Sequence, residues 1–199
     1  MPTFVLIAAN VAVYAYTSVL SRSLTTSETV IDAFGQYNQA VFNGEVWRLF
    51  TAIFIHADIV HIFGNMLFLL IFGLRAEDMF DVKEYMLIYF GSGLSGSLLS
   101  LAFGPDSISI GASGAIFGVL GAAVIGLALI NGRRSLGSIM FALAYAFFFL
   151  VINIGPNVDY LAHLGGLAAG LLIGYALASS RRYKPLVTYQ HNYPRSWST

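Results

Sequence analysis

A serine hydroxyl lies at the start of a long apolar run in the stretch Ser109-Ile110-Gly111-Ala112-Ser113-Gly114-Ala115-Ile116-Phe117-Gly118, which continues to about Ile130. Gly111 and Gly114 flank the serine, so that backbone or a substrate can approach it closely. If the run is a helix, Ser113 lies at its N-terminus, where free backbone N–H groups and the helix dipole favour a negative oxygen. A nucleophile beside such donors suits acyl transfer. Taken alone, the pattern is more often a serine between two helix-packing glycines, so the rest of the chain has to decide.

The composition is that of a membrane protein. Of the 199 residues, 57% are hydrophobic and only 10% are charged, and the mean hydropathy is +0.75. A soluble domain carries about 25% charged residues. The formal net charge is zero, which gives no indication of nucleic-acid binding. The chain has no cysteine, which excludes disulfides, thiolate catalysis and cysteine–metal sites.

Six segments are apolar enough to predict membrane-spanning helices, for which roughly 20 residues are needed. They cover residues 3–20, 58–74, 82–102, 113–130, 136–154 and 159–178. We therefore predict an all-α, polytopic membrane domain over residues 1–178, and a short, mobile, polar tail over residues 179–199. Residues 21–57 form a long polar connection, and Asp58 is a plausible N-cap for the second helix. The first helix lacks a basic flank and an obvious cleavage site, so we expect it to be retained and not removed as a signal peptide.

The basic residues predict the orientation of the bundle. Eight of the ten lie on one side, namely Arg75, Lys83, Arg133, Arg134, Arg181, Arg182, Lys184 and Arg195, and only Arg22 and Arg48 lie on the other. Positive charge stays on the cytoplasmic side of a membrane. Both termini are therefore expected to be cytoplasmic, in the plasma membrane, with Ser113 toward the outer leaflet.

Polar residues inside spans are costly and by default indicate function. His61 and Asn65 are four residues apart on the second helix and share one face, and His163 lies about one turn inside the sixth helix. The topology places all three in the same leaflet as Ser113. Their simpler interpretation is hydrogen bonding between helices and, for His163, a satisfied core histidine.

A metal site is a further alternative for the histidines, because it needs three or four converging ligands. His56, His61 and His163, with Asp58 or Asp159, contain enough donor atoms. We expect no metal and no cofactor, because His56 and Asp58 should lie above the second helix.

Glycines spaced by four residues are expected to bring the serine and the histidine together. Gly166, Gly170 and Gly174 lie on the sixth helix, and Gly114 and Gly118 lie on the fourth. Small residues at this spacing allow two helix backbones to pack closely. A histidine on one helix can then reach a serine on the other.

The chain resembles the rhomboid intramembrane serine proteases in their minimal six-helix form. The resemblance extends over most of the chain and depends on the order and spacing of five short motifs: Trp47-Arg48, His56, His61-x-x-x-Asn65, Gly111-x-Ser113-Gly114 and Ala162-His163-x-x-Gly166-x-x-x-Gly170.

The resemblance implies a catalytic dyad of Ser113 as nucleophile and His163 as general base. It also implies that His61 and Asn65 bind the oxyanion beside the Ser113 backbone N–H, near Gly111. Phe117 matches the aromatic residue that packs against the catalytic histidine of the family. Trp47 and Arg48 resemble its loop anchor. Asp159 invites a triad interpretation, but the family uses no carboxylate and an acid at a helix start is favoured by the dipole, so we expect it to begin the helix.

The implied activity is endoproteolysis of single-span transmembrane proteins in the lipid bilayer, with no cofactor and no nucleic acid. The oligomeric state stays open. One alternative is a non-catalytic rhomboid-like protein that binds membrane clients, although such relatives typically lack the serine or the histidine. Another is a small transporter or channel, which internal repeats and polar groups near the midplane would indicate. We find neither feature in the sequence.

Overall fold

A computed structural model describes residues 1–105, 107–130 and 158–180. Its elements are α1 (Pro2–Ser21), α2 (Glu28–Phe34), α3 (Asn38–Phe42), α4 (Arg48–Thr51), a 3-10 turn (Ala52–Phe54), α5 (Ile59–Glu77), α6 (Val82–Phe103), α7 (Ser113–Ile130) and α8 (Tyr160–Ser180). The described ranges contain no regular strand, and an isolated antiparallel bridge joins Gln36 to Ser109. The predicted helix over 136–154 and the tail beyond Ser180 lie outside these ranges.

Four helices, α1, α5, α6 and α8, are long and apolar enough to cross a bilayer, and α7 is a shorter apolar helix. The prediction of an all-α, polytopic membrane fold is therefore confirmed. Five of the six predicted spans fall on these helices, and α7 begins at Ser113 as expected.

Local hydrogen bonds explain where the helices begin and end. The Asp58 carboxylate accepts from the backbone N–H of His61 at 2.8 Å, which confirms the predicted N-cap of α5. At the C-terminus of α8 the helix continues to Ser180, two residues beyond the predicted end of the sixth span. The Ser179 and Ser180 hydroxyls donate to carbonyl oxygens one turn earlier, at 3.3 and 2.9 Å. Serine satisfies backbone groups in this way, so a polar residue does not by itself end the helix.

The centre of the bundle is α7, which packs against α5, α6 and α8. Its Ile116 and Val119 have no exposed surface, and Phe117 is 1% exposed. A helix that is apolar on all faces must be surrounded by protein or lipid. Because α7 is surrounded by helices, its N-terminal Ser113 is held inside the bundle and not on its rim.

The contact between α7 and α8 is backbone on backbone. A methyl group built at Gly166 would lie 2.0 Å from the carbonyl oxygen of Gly114, and one at Gly170 would lie 2.0 Å from that of Gly118. No side chain fits at either position. The predicted close packing of these two glycine faces is confirmed, and it fixes α8 directly against the helix that bears Ser113.

The connection between α1 and α5 is anchored by Arg48, which is only 8% exposed. Its guanidinium donates to the carbonyl oxygens of Gly35, at 2.9 Å, and Asp32, and it pairs with Glu45 at 2.6 Å. Trp47 is instead 52% exposed. Of the two residues expected to anchor the loop, only the arginine is buried against it.

Candidate active site

A cavity of about 640 Å³ lies at the end of the bundle where α5, α7 and α8 begin. Apolar side chains form most of its wall, together with a small number of polar groups. The polar side chains that line it are Asp58, His61, Asn65, Ser97, Ser109, Ser113, Asp159 and His163. The cavity therefore brings together five of the residues predicted for the site: His61, Asn65, Gly111, Ser113 and His163.

The Ser113 hydroxyl and the His163 ring are in direct contact. Ser113 Oγ lies 2.7 Å from His163 Nε2. Both side chains are buried, with exposed fractions of 8% and 7%. Residues fifty positions apart meet because the α7–α8 glycine contact continues to this level, where a methyl group at Gly114 would lie 3.1 Å from the Ala162 carbonyl oxygen. A hydroxyl and an imidazole at this distance can exchange a proton.

Phe117 packs against the other side of this pair. Its ring centroid is 4.7 Å from that of His163, with 34° between the planes. Phe117 lies four residues after Ser113 on α7, and therefore on the same helix face. The ring limits the rotation of the imidazole, because a buried aromatic neighbour leaves little space for another rotamer.

His61 and Asn65 line the cavity from α5. Asn65 is 2% exposed, and its amide donates to the His61 carbonyl oxygen at 3.0 Å, which leaves a second N–H. His61 Nδ1 accepts from the Ala57 backbone N–H at 3.4 Å. A ring that accepts at Nδ1 carries its proton on Nε2 when neutral. Two side-chain donors are thus available at this wall.

Gly111 lies beside both of these residues. Its φ of +115° lies in the region that favours glycine. A methyl group at this position would lie 2.8 Å from His61 Nε2 and 3.9 Å from the Asn65 amide nitrogen. Space and backbone conformation both require glycine here, so that the chain preceding Ser113 can pass beside the two donors.

Asp159 lies at the start of α8, as expected, and does not complete a triad. Its carboxylate accepts from the Ala162 backbone N–H at 2.9 Å and from the Ser100 hydroxyl. Among the described residues His163 Nδ1 has no hydrogen-bond partner. The carboxylate therefore caps the helix and contacts α6, and it leaves the second nitrogen of the imidazole unbonded.

His56 is fully buried outside the spans, next to His61. Its Nδ1 lies 3.1 Å from the Phe54 carbonyl oxygen, and the two imidazole centroids are 5.1 Å apart. Burial and the neighbouring His61 lower the pKa of His56 to about 3. It therefore packs as a neutral ring behind His61. Within the described ranges no three histidine, aspartate or glutamate side chains converge into a group that could hold a metal ion.

Sequence reasoning missed two contacts that support the cavity, one of them made by Ser109, which lines it, and the other by Ser100, which lies behind it. Ser109 pairs with Gln36 through two backbone hydrogen bonds of 2.9 Å, which joins the segment before Ser113 to the first loop. The Ser100 hydroxyl donates to Asp159. Ser100 could not be singled out from the sequence, because α6 contains several serines and glycines. Both contacts connect distant parts of the chain. The sequence carries no periodic signal for either.

The fold and the site define a multi-pass helical membrane protein with a buried serine–histidine pair, and comparison with known families agrees. The model of the Rhomboid domain matches residues 43–180. The chain therefore belongs to the rhomboid family.

Three known proteins show the extent of this similarity. RHOMBOID-like protein 1 of Arabidopsis thaliana is 39% identical over 81% of this chain and 41% of its own length. Rhomboid protease GluP of Bacillus subtilis (strain 168) is 34% identical over 88% of this chain and 34% of its own. Rhomboid-like protease 3 of Toxoplasma gondii is 33% identical over 83% of this chain and 65% of its own length. The chain thus spans less than two thirds of each of these proteins.

Proposed function

We propose that the protein is an intramembrane serine endopeptidase that cleaves single-span transmembrane proteins with a dyad of Ser113 and His163. The observation that carries this proposal is the 2.7 Å contact between Ser113 Oγ and His163 Nε2 in a cavity lined by further polar groups. Membership of a family that includes named proteases supports it.

Ser113 Oγ attacks the carbonyl carbon of the scissile peptide bond and transfers its proton to His163 Nε2. The C–N bond then breaks, and the imidazolium gives this proton to the leaving amine. Water attacks the resulting ester, loses a proton to His163 and releases Ser113 and the new carboxylate. No step requires a metal or a cofactor.

The negative oxygen of the tetrahedral intermediate needs donors that are already oriented. His61 Nε2–H and the free N–H of Asn65 are two such donors, and the Ser113 backbone N–H at the start of α7 is a third. The first N–H groups of a helix have no partner within it, so this donor is available. The Asn65 amide is hydrogen-bonded to His61, and the chain at Gly111, two residues before the serine, passes close to both, which supports their role as donors to the oxyanion.

The arrangement of lysine and arginine supports a topology with both termini cytoplasmic and the cavity toward the outer leaflet of the plasma membrane. The site then lies roughly 10 Å below the surface, at the depth of Asn65, which is nearly two turns into α5 at a rise of about 1.5 Å per residue. A substrate backbone enters from the bilayer, and water enters through the polar cavity.

Covalent labelling tests the nucleophile. Purified protein in detergent is treated with a fluorophosphonate, and the modified residue is located by mass spectrometry. We expect labelling of Ser113 in the wild type and none in Ser113→Ala or His163→Ala, which should also leave a transmembrane reporter uncleaved. Ser92→Ala is a matched control, because Ser92 is buried in a span and its hydroxyl has no hydrogen-bond partner among the described residues.

Normal cleavage by Ser113→Ala contradicts the assignment of the nucleophile. A folded wild type that binds the reporter without cleaving or labelling supports the alternative of a membrane protein that binds clients.

A further inference from the structure

The first turn of α8 is held at Asp159 by contacts in two directions. One carboxylate oxygen accepts from the Ala162 backbone N–H at 2.9 Å, which is the geometry of a helix N-cap. The other accepts from the Ser100 hydroxyl on α6. The Asp159 carbonyl oxygen also accepts from the backbone N–H of His163 at 3.2 Å. The residue proposed as the base therefore lies in the turn that Asp159 begins.

The partner of Asp159 is itself fixed. Ser100 is 4% exposed, and its carbonyl oxygen accepts from the Gly104 backbone N–H at 2.7 Å. Close by, α6 and α8 meet backbone to backbone, since a methyl group at Gly96 would lie 2.4 Å from the Ala162 carbonyl oxygen. The Ser100–Asp159 bond thus joins α8 to a rigid neighbour.

We propose that Asp159 is a positioning residue for His163, acting through its helix cap and its bond to Ser100 and not through its charge. This inference rests on the proposed function. His163 Nδ1 has no hydrogen-bond partner among the described residues, so the carboxylate does not orient the ring directly. It fixes where α8 begins, and that determines how far His163 Nε2 lies from Ser113 Oγ. Without the carboxylate the Ala162 backbone N–H loses its hydrogen-bond partner, and we expect the turn that carries His163 to fray.

Two substitutions separate geometry from charge. Asp159→Asn keeps an oxygen for the Ala162 N–H and an amide that can donate to the Ser100 hydroxyl, but it removes the charge. Asp159→Ala removes both contacts. Asp81→Ala is the matched control, because Asp81 caps α6 by accepting from Lys83 and Glu84 backbone N–H groups at 2.9 and 3.0 Å, at the other end of the bundle.

The experiment measures kcat and KM for a transmembrane reporter, the rate of fluorophosphonate labelling and Tm for each variant. A misplacement of about 1 Å costs about 10²-fold in rate. We therefore expect Asp159→Ala to lower kcat and the labelling rate by about 10- to 100-fold with little change in KM. Asp159→Asn should stay within about threefold of the wild type. Asp81→Ala should lower Tm and leave kcat unchanged.

Wild-type kcat in folded Asp159→Ala overturns the proposal, and so does an Asp159→Asn variant as slow as Asp159→Ala, which would show that the charge is required. If Asp159→Ala does not fold, Ser100→Ala decides, because it keeps the helix cap. A loss of several-fold in its kcat supports the proposal, and an unchanged kcat overturns it. A wild type that neither cleaves nor labels overturns the proposed function itself, so the two failures are distinguishable.

Discussion

Gly170→Ala tests whether the α7–α8 contact sets the distance between the proposed catalytic groups. Gly170 lies seven residues after His163, roughly 10 Å further along α8, and it does not line the cavity. The added methyl group would lie 2.0 Å from the carbonyl oxygen of Gly118 and 2.5 Å from its Cα. All of these neighbours are backbone atoms, so no side chain can rotate away.

The size of the effect follows from this overlap. Nonbonded carbon and oxygen atoms stay at least about 3 Å apart, so the two helices must separate by about 1 Å. If the separation extends to the cavity, the Ser113 Oγ–His163 Nε2 distance of 2.7 Å grows beyond hydrogen-bond range. We expect kcat to fall by about 10²-fold. Overpacking costs about 1–3 kcal/mol, and the better helix propensity of alanine offsets about 1 kcal/mol of it, so Tm should fall by only a few degrees.

The assay compares kcat for a transmembrane reporter with Tm in the same detergent. Gly91→Ala is the matched control, since its methyl group would meet two side-chain ends, Ile173 Cδ1 at 3.1 Å and Leu87 Cδ1 at 3.9 Å, and both can move. It should keep wild-type kcat. A folded Gly170→Ala variant with wild-type kcat would refute the argument, because it would show that helix separation at Gly170 does not reach the serine–histidine pair.

Three further changes test other parts of the structure. Asn65→Ala removes one proposed oxyanion donor and should lower kcat by about 10²–10³-fold with little effect on KM, and an unchanged kcat would remove Asn65 from the site. Arg48→Lys loses the two-sided contact with Gly35 and Glu45 and should lower Tm by several degrees, which thermal unfolding in detergent measures. Burial and the neighbouring His61 lower the pKa of His56 to about 3 in the folded protein, whereas its unfolded value is about 6.5. The unfolded state therefore binds the proton first, and the free energy of unfolding decreases as pH falls from about 6.5 toward 3. His56→Phe should lessen this loss, and an identical pH dependence of Tm would contradict it.

The spans could be predicted from the sequence because their signal is local. Apolar length and the residues at the ends were sufficient to place Val82 and Ser113 at the starts of α6 and α7. The C-terminal ends were less accurate, as α5 continues to Glu77 and α8 to Ser180, since charged and hydroxyl side chains are tolerated where a helix reaches the membrane surface.

The residues in the cavity could also be anticipated, because polar groups are rare in an apolar sequence and their spacing limits which faces they share. The contacts that hold these residues in place could not be anticipated. Trp47 and Arg48 are adjacent, yet one is exposed and the other buried, and a two-residue motif does not distinguish them. The bond between Ser100 and Asp159 spans 59 positions and depends on how α6 and α8 pack. Tertiary contacts of this kind have no local sequence signal.

The glycine repeat alone does not determine the position of His163. The α7–α8 contacts recur every four residues, with Gly166 on Gly114, Gly170 on Gly118 and Gly174 on Ala122. A regular repeat also permits a register shifted by one step, which would move α8 by about 6 Å along its axis. Such a shift would separate His163 from Ser113 while preserving most of the close packing.

Contacts that do not repeat must therefore select the register, and α6 provides them. A methyl group at Gly165 would lie 3.0 Å from the Cα of Gly96, and the Ser100 hydroxyl bonds to Asp159. Both would be lost in a shifted register, because neither partner recurs four residues away. The two interfaces of α8 therefore have different effects. The contact with α7 sets the distance between the two helices, and the contact with α6 sets the position of α8 along α7. A helix without any proposed catalytic residue consequently determines whether the hydroxyl and the imidazole meet.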